Sequence, residues 1–372
     1  MKRNENYLIS IPILILFLIS IINLYNAKYL NSFYNYYYLK QIIWYIFGIL
    51  IILITRKINL KAIFKYSKHL YIINIFLLIL VLFIGDEING TRAWIDLKFF
   101  NFQPSEFMKI TLTLYLIEQS QKKEKKLLNI CKLTILTLIP SLLVFLEPDT
   151  GAIIFFVIIY FFILSTKKIK WYYYLIFIIT MIALVIVFFY CYFNNQDLLI
   201  KLIGTSFFYR VDRIINFKAN NYQLDLSLLS IFGGLIFKNG FNNILIYIPE
   251  GATDFIFAFC IGNFGLSIGI LIIGCYALIL WGLLKKIKSK QNKKTNYLVI
   301  SFLLILFFQV VINISMNLGI IPIVGITLPF LSYGGSSILV CFIYLALIFN
   351  LTSKDNYYNR QKSKNKSNHY KV

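Results

Sequence analysis

The chain has 372 residues, 59% of them hydrophobic, a mean hydropathy of +0.75 and a net charge of +22. Soluble globular domains are roughly 45–50% apolar, so the composition excludes an ordinary soluble domain and indicates a polytopic membrane protein. Because the basic residues lie in short segments between apolar runs, we interpret the charge as a topology signal and predict no nucleic-acid partner.

Ten apolar runs are long enough to suggest helices that cross a hydrocarbon core, which takes about 20 residues. We therefore predict an all-α membrane fold with spans at residues 8–27, 41–56, 68–84, 104–120, 127–146, 150–166, 170–193, 254–284, 296–318 and 331–351. Residues 1–352 form the predicted transmembrane domain, and residues 353–372 form a basic tail that we expect to be disordered.

The positions of lysine and arginine predict the orientation, because cytoplasmic loops hold the excess of basic residues. Six segments that would share one side hold 26 of the 37 basic residues, whereas the opposite loops hold nine. Both termini are therefore predicted to be cytoplasmic, and the long loop 194–253 to lie outside.

The five cysteines occur in or at the ends of apolar runs without paired spacing, so neither a disulfide framework nor a zinc site is indicated. No phosphate-binding loop or dinucleotide fingerprint occurs in the sequence. We therefore expect no nucleotide or organic cofactor.

Charged residues inside or at the edge of apolar helices are costly and usually functional. Glu106 and Lys109 lie three residues apart, on one face of the predicted fourth span. They either pair for structural reasons or face a polar cavity that holds an anionic substrate, and we favour the cavity.

Further carboxylates lie at the outer ends of predicted helices. Asp254 begins the eighth span, where it is either a functional group or a helix cap, since Asp favours the first turn. Glu250 precedes it by four residues, and the turn Glu147–Gly151 carries Asp149, which composition alone favours as the cap of the sixth helix.

The loop 194–253 is too long for a plain connection and is expected to be functional or partly structured. Residues 198–217 mix apolar residues with charges, as an interfacial amphipathic helix does, and residues 226–240 suggest a re-entrant or horizontal helix. Arg210 and Arg213 are candidates for phosphate binding, with a salt bridge to Asp212 or Glu250 as the alternative.

Several segments together resemble the SEDS family of peptidoglycan polymerases, typified by RodA and FtsW. The matching segments are GTRAWIDL (90–97), FQPSEFMK (102–109), EPDTGA (147–152), YQ (222–223), IPEGATDFIFA (248–258) and LGIIPIVGITLPFLSYGGSSIL (318–339). The residues of the motifs FQPSEF and LPFLSYGG favour the RodA branch of the family, which acts in elongation. The chain departs from the family pattern where Ala252 replaces a His and Gly262-Asn263 replaces a Glu-Glu pair.

The resemblance implies a membrane glycosyltransferase that polymerises lipid II outside the cytoplasmic membrane. It makes Asp254 the catalytic base, and Arg92, Glu106, Lys109, Asp149, Arg210, Glu250 and Ser332 the substrate-binding candidates. It also implies a class B penicillin-binding protein and other elongation-complex membrane proteins as partners. A divalent cation, Mg²⁺ or Mn²⁺, is a candidate cofactor for the diphosphate. The alternatives are an FtsW-like septal polymerase, a lipid II flippase and a non-enzymatic scaffold.

The orientation can be tested by cysteine labelling from outside intact cells. Cysteines placed in the loop 194–253 are expected to react, whereas those in residues 122–126 and 285–294 are expected to be protected. The reverse pattern would overturn the predicted topology.

Overall fold

The computed structural model describes residues 6–31, 34–57, 61–88, 91–98, 100–167, 179, 183, 186–203, 215, 222–236, 247–289 and 291–369. The first half contains helices α1 (Tyr7–Ala27), α2 (Tyr37–Thr55), α3 (Lys61–Lys65), α4 (Ser67–Ile84), α5 (Pro104–Ser120), α6 (Lys126–Leu146) and α7 (Thr150–Ser165). The second half contains α8 (Gln196–Ile203), α9 (Tyr222–Ile236), α10 (Ile256–Phe264), α11 (Leu266–Lys286), α12 (Lys293–Asn317) and α13 (Gly335–His369). Residues 186–194 are helical as well.

The described helices confirm the all-α polytopic membrane fold. Seven are long and apolar enough to cross a membrane, namely α1, α2, α4, α6, α11, α12 and the part of α13 up to Ser353. Helix α7 is a shorter apolar helix, and α5, with 17 residues, carries the Glu106 and Lys109 pair. Their large apolar side chains are widely exposed, as expected for a surface that faces lipid.

The eighth predicted span is not one helix. It is divided at Gly265, whose φ of 84° lies in the left-handed region, into a nine-residue helix α10 and a 21-residue helix α11. Glycine adopts this conformation without the steric cost that other residues incur. The seventh predicted span, 170–193, lies largely outside the described residues.

Helix α13 is described to His369, and the disorder expected of residues 353–372 stays a prediction. A small antiparallel sheet joins α4 to α5, with strands β1 (Asp86–Ile88), β2 (Thr91–Asp96) and β3 (Asn101–Phe102) in that order. Ile95 pairs with Phe102 in its second ladder.

Helix α9, in the loop between the seventh and eighth predicted spans, packs against α10. The Ser230 hydroxyl donates to the carbonyl of Ala258 at 3.2 Å. A Cβ added to Gly234 would lie 2.1 Å from the Ile261 carbonyl oxygen, so the close approach of the two helices requires glycine there. Helix α9 is therefore part of the packed helical domain.

The segments that join the helices at one end of the bundle contact one another. The Arg92 backbone N–H donates to the Glu147 carbonyl at 3.3 Å, which joins the sheet to the turn between α6 and α7. The Tyr333 N–H donates to the Ala252 carbonyl at 3.0 Å, which joins the segment after α12 to the turn before α10. We call this end the site end, because it holds most of the predicted site residues.

Candidate active site

Asp254 lies in the turn that leads into α10 but does not cap that helix. The residue at the N-cap position is Phe255, and no side-chain hydrogen bond caps the helix. The Thr253 hydroxyl donates instead to the Glu250 carboxylate at 2.7 Å. The Asp254 carboxylate therefore has no capping role in this structure, which removes the alternative that sequence alone left open.

Two amides from α12 hold the backbone of Asp254. Asn313 donates to the Asp254 carbonyl at 2.8 Å and Asn317 donates to the same oxygen at 3.1 Å. Asn313 also donates to the Ile326 carbonyl at 2.6 Å, and the Asn317 side-chain oxygen accepts from the Ala258 N–H at 3.1 Å. Both amides are buried, so they fix the turn relative to α10 and to the loop after α12.

The Asp254 carboxyl group is partly buried and lies among negative charges. Burial is the largest cause that raises its pKa to about 7, and the charges of Glu250 and Asp149 add to the shift. The Asp254 Oδ2 would lie 3.7 Å from a Cβ at Gly325, which places the carboxylate against the loop after α12.

Asp149 caps α7, as composition suggested, and also joins two other segments. Its Oδ1 accepts from the Ala152 N–H at 3.3 Å. Its Oδ2 accepts from the Ser105 hydroxyl at 2.8 Å and from the Gln103 side chain at 3.0 Å. The start of α5 and the start of α7 are thus held together by one carboxylate.

Glu147 is a buried acid that the sequence did not single out as a site residue. It has no exposed surface, and neither carboxyl oxygen has a hydrogen-bond partner among the described residues. Burial raises its pKa to about 9, and the nearby charge of Asp149 adds to the effect. The group is therefore protonated at neutral pH, which lowers the cost of burying it.

Glu106 and Lys109 form a buried ion pair. The Lys109 Nζ lies 2.7 Å from the Glu106 Oε1, and their side chains are only 3% and 12% exposed. The ammonium also lies 4.8 Å from the centre of the Phe155 ring on α7. This geometry matches the pairing alternative, and a role in substrate binding remains a prediction.

Ser332 holds backbone segments together. Its hydroxyl donates to the Thr253 carbonyl at 2.6 Å and accepts from the Leu328 N–H at 2.7 Å. The residue is 3% exposed, and its hydroxyl supports the turn of Asp254. Its role in substrate binding stays a prediction.

The remaining candidates lie apart from this cluster or outside the described residues. Arg92 is exposed on β2 and reaches the Glu147 turn through its backbone. Arg210 and Arg213 lie outside the described residues. Within the described ranges no three His, Cys, Asp or Glu side chains are grouped so that they could hold a metal ion. No mechanistic step is therefore assigned to a divalent cation.

A family model for FtsW, RodA and SpoVE, described as a cell cycle protein, matches residues 6–357. The chain belongs to this family. A probable peptidoglycan glycosyltransferase FtsW of Wigglesworthia glossinidia brevipalpis is 31% identical over 360 residues, which cover 92% of this chain and 90% of that protein. Stage V sporulation protein E of Bacillus subtilis (strain 168) is 27% identical over 387 residues, covering 96% and 99% of the two chains.

Solved structures show the same fold. A chain from a peptidoglycan synthase complex that coordinates polymerization and crosslinking has a TM-score of 0.78 at 23% identity, covering 93% of this chain and 97% of that one. A mutant of the Thermus thermophilus rod shape determining protein RodA has a TM-score of 0.69 at 22% identity, covering 95% and 99%. Both the FtsW and RodA names thus occur among similar proteins, and the RodA branch is not distinguished.

The polar face of α12 contributes to the site, and the sequence analysis did not predict this. Gln309, Asn313 and Asn317 follow one another at four-residue spacing on one face of this helix. All three bind backbone carbonyls at the site end. Three amides at four-residue spacing in an apolar helix are the signal that would have identified them.

The buried ion pair generates a test by double-mutant cycle. Glu106→Ala or Lys109→Ala is each expected to lower the free energy of unfolding by about 3–5 kcal/mol, because each leaves a poorly compensated buried charge. The double variant is expected to cost clearly less than the sum. Unfolding of the purified protein in detergent measures all three.

The matched control is the more exposed pair Glu118–Lys294, whose side chains are 27% and 28% exposed. Removing either partner there is expected to cost about 0–1 kcal/mol. Additive effects of the Glu106 and Lys109 changes would contradict their coupling.

Proposed function

We propose that this protein is a peptidoglycan glycosyltransferase that polymerises lipid II on the outer face of the bacterial cytoplasmic membrane. The names of its curated relatives support the activity. The observation that carries the assignment of the site is the Asp254 carboxyl group, which is held by its backbone, engaged in no helix cap and shifted to a pKa of about 7.

In the proposed reaction, the ionised Asp254 accepts the proton of the acceptor sugar hydroxyl. The hydroxyl oxygen attacks the anomeric carbon of the donor, the bond from that carbon to the pyrophosphate oxygen breaks, and polyprenyl pyrophosphate leaves with the electron pair. A base with a pKa near the working pH combines a useful ionised fraction with proton affinity. Direct displacement by one nucleophile inverts the anomeric centre.

Lys109, Glu106 and Asp149 are proposed to shape the binding site for the diphosphate and sugars, and Arg92 on β2 is a further candidate. The position of the first three at the starts of α5 and α7 supports this, because Ser105 beside Glu106 donates to Asp149. The negative charge of Asp149 in turn acts on Asp254.

A class B penicillin-binding protein is the proposed partner. The fold shared with a chain of a complex that coordinates polymerization and crosslinking supports it. The outer location of the active site and the cytoplasmic location of both termini follow from the basic segments and remain proposals. Other membrane proteins of a morphogenetic complex are expected as additional partners.

For the cellular role, we propose cell division over elongation. The RodA assignment rested on two short motifs, whereas the FtsW relatives are similar over 335 or 360 residues at 29–31% identity. The branch is tested by expressing the chain in conditional division and elongation mutants of a rod-shaped bacterium. Rescue of septation is expected, and rescue of rod shape alone would restore the elongation assignment.

Asp254→Asn is expected to lower the polymerisation rate of purified protein on labelled lipid II by about 10²–10⁴-fold, because Asn cannot accept the proton. Folding and association with a transpeptidase should be unchanged.

In the unmodified protein kcat/KM should increase with pH up to about 7 and then level off, since the ionised acid is the active form and its pKa is about 7.

The matched control is Asp197→Asn, which changes an exposed acid on α8 and should leave the rate unchanged. Glu250→Gln removes one charge that raises the pKa of Asp254, so the midpoint of the pH profile should move to lower pH. An Asp254→Asn protein that polymerised lipid II at a near wild-type rate would move the catalytic assignment to Glu250 or Asp149.

A further inference from the structure

A cluster of tyrosines lies beside the turn of Asp254. The rings of Tyr37 and Tyr333 are stacked, with centroids 3.8 Å apart and planes 17° apart. Tyr34 meets Tyr37 edge-on at 5.2 Å. The Tyr34 side chain also interacts with Tyr247 and with the backbone of Glu250. We call Tyr34, Tyr37, Tyr247 and Tyr333 the tyrosine cluster.

The cluster is rigidly connected to the candidate base. Tyr37 and Gln41 lie four residues apart on one face of α2, and Gln41 donates to the Ser332 carbonyl at 3.1 Å. Tyr333 follows Ser332 and donates its N–H to the Ala252 carbonyl at 3.0 Å, two residues before Asp254. The stacked rings therefore keep a defined position relative to the turn.

The chemistry of the cluster narrows the class of ligand. Tyr37 and Tyr333 are partly exposed, and Tyr247 is 42% exposed, so ring surface and phenol groups are accessible. The Glu250 carboxylate acts on both Tyr34 and Tyr37, and its negative charge disfavours a diphosphate there. A bare prenyl chain offers no partner for the phenols or the carboxylate, whereas a sugar has apolar ring faces and many hydroxyls.

We propose that the tyrosine cluster and Glu250 form a sugar-binding subsite that holds a hexosamine ring next to Asp254. The stacked pair supplies an aromatic wall, and the carboxylate and phenol groups bind sugar hydroxyls. This proposal rests on the proposed function and adds to it the place where uncharged sugar rings bind. The diphosphate lies elsewhere, away from Glu250.

The test compares variants of the purified full-length protein in polymerisation assays. Tyr37→Leu removes one of the two stacked rings and should raise the KM for lipid II about tenfold, which equals about 1.4 kcal/mol, with kcat within about twofold. Tyr37→Phe keeps the ring and should change KM by less than about threefold. Tyr29→Leu, at an exposed tyrosine in an edge contact with Tyr25, is the matched control and should leave both constants unchanged.

Direct binding gives a second measurement that needs no turnover. Saturation-transfer NMR with N,N′-diacetylchitobiose, an uncharged disaccharide of N-acetylhexosamines, should detect binding to the wild-type and Asp254→Asn proteins but not to Tyr37→Leu. If Tyr37→Leu does not fold, Tyr247→Leu replaces it, because that side chain is largely accessible and should likewise weaken binding.

Equal disaccharide binding by the wild-type protein and the variant tested would overturn the subsite. A fall in kcat and melting temperature of Tyr37→Leu with unchanged KM would also overturn it, because a packing role alone predicts that result. Failure of the wild-type protein to polymerise lipid II would instead count against the proposed function, and the disaccharide experiment would still decide the subsite.

Discussion

The site end depends on satisfying the polar backbone of an irregular, buried segment. Between α12 and α13 the chain is not helical over residues 319–334, and backbone without regular hydrogen bonds is costly at membrane depth unless other groups in the protein satisfy it. Six backbone carbonyls of this segment accept hydrogen bonds from side chains on four helices. The donors are Ser20 on α1, Gln41 and Tyr45 on α2, Tyr276 on α11, and Gln309 and Asn313 on α12.

These contacts explain why polar side chains occur inside otherwise apolar helices. Each amide or hydroxyl would be expensive in hydrocarbon alone, and each carbonyl would be expensive without a donor. Together they hold Phe330 at a φ of 64°, a conformation that non-glycine residues rarely adopt. The loop in turn supports the turn of Asp254 through the Ser332 hydroxyl and the two asparagines of α12.

The same end of the molecule concentrates carboxyl groups, and burial raises the pKa of two of them, Glu147 and Asp254, with a smaller contribution from the charges of neighbouring acids. Glu147 is protonated because it is fully buried beside Asp149, whereas Asp149 accepts three hydrogen bonds. Asp254 is partly buried and close to two other acids, and its pKa is raised less than that of Glu147. One cluster therefore holds a buried acid whose pKa is raised to about 9, a carboxylate that joins two helix starts by hydrogen bonds, and a candidate base whose pKa is raised to about 7.

The sequence alone determined the membrane class, the approximate positions of the long helices and the identity of Asp254 as the main candidate. Long apolar runs and motif spacing are local features, so they can be recognised without coordinates. Sequence also suggested Asp149 as a helix cap, which depends on neighbours only three residues away.

Only the tertiary structure decided which polar residues meet. Asn317 reaches Asp254 across 63 residues, and Tyr37 reaches Tyr333 across almost the whole chain, so no local pattern could pair them. The burial of Glu147 and the pKa of Asp254 likewise depend on charges and packing brought together by folding. Helix breaks such as Gly265 required coordinates because glycine is compatible with both a continuous helix and a turn, and the surrounding packing selects between them.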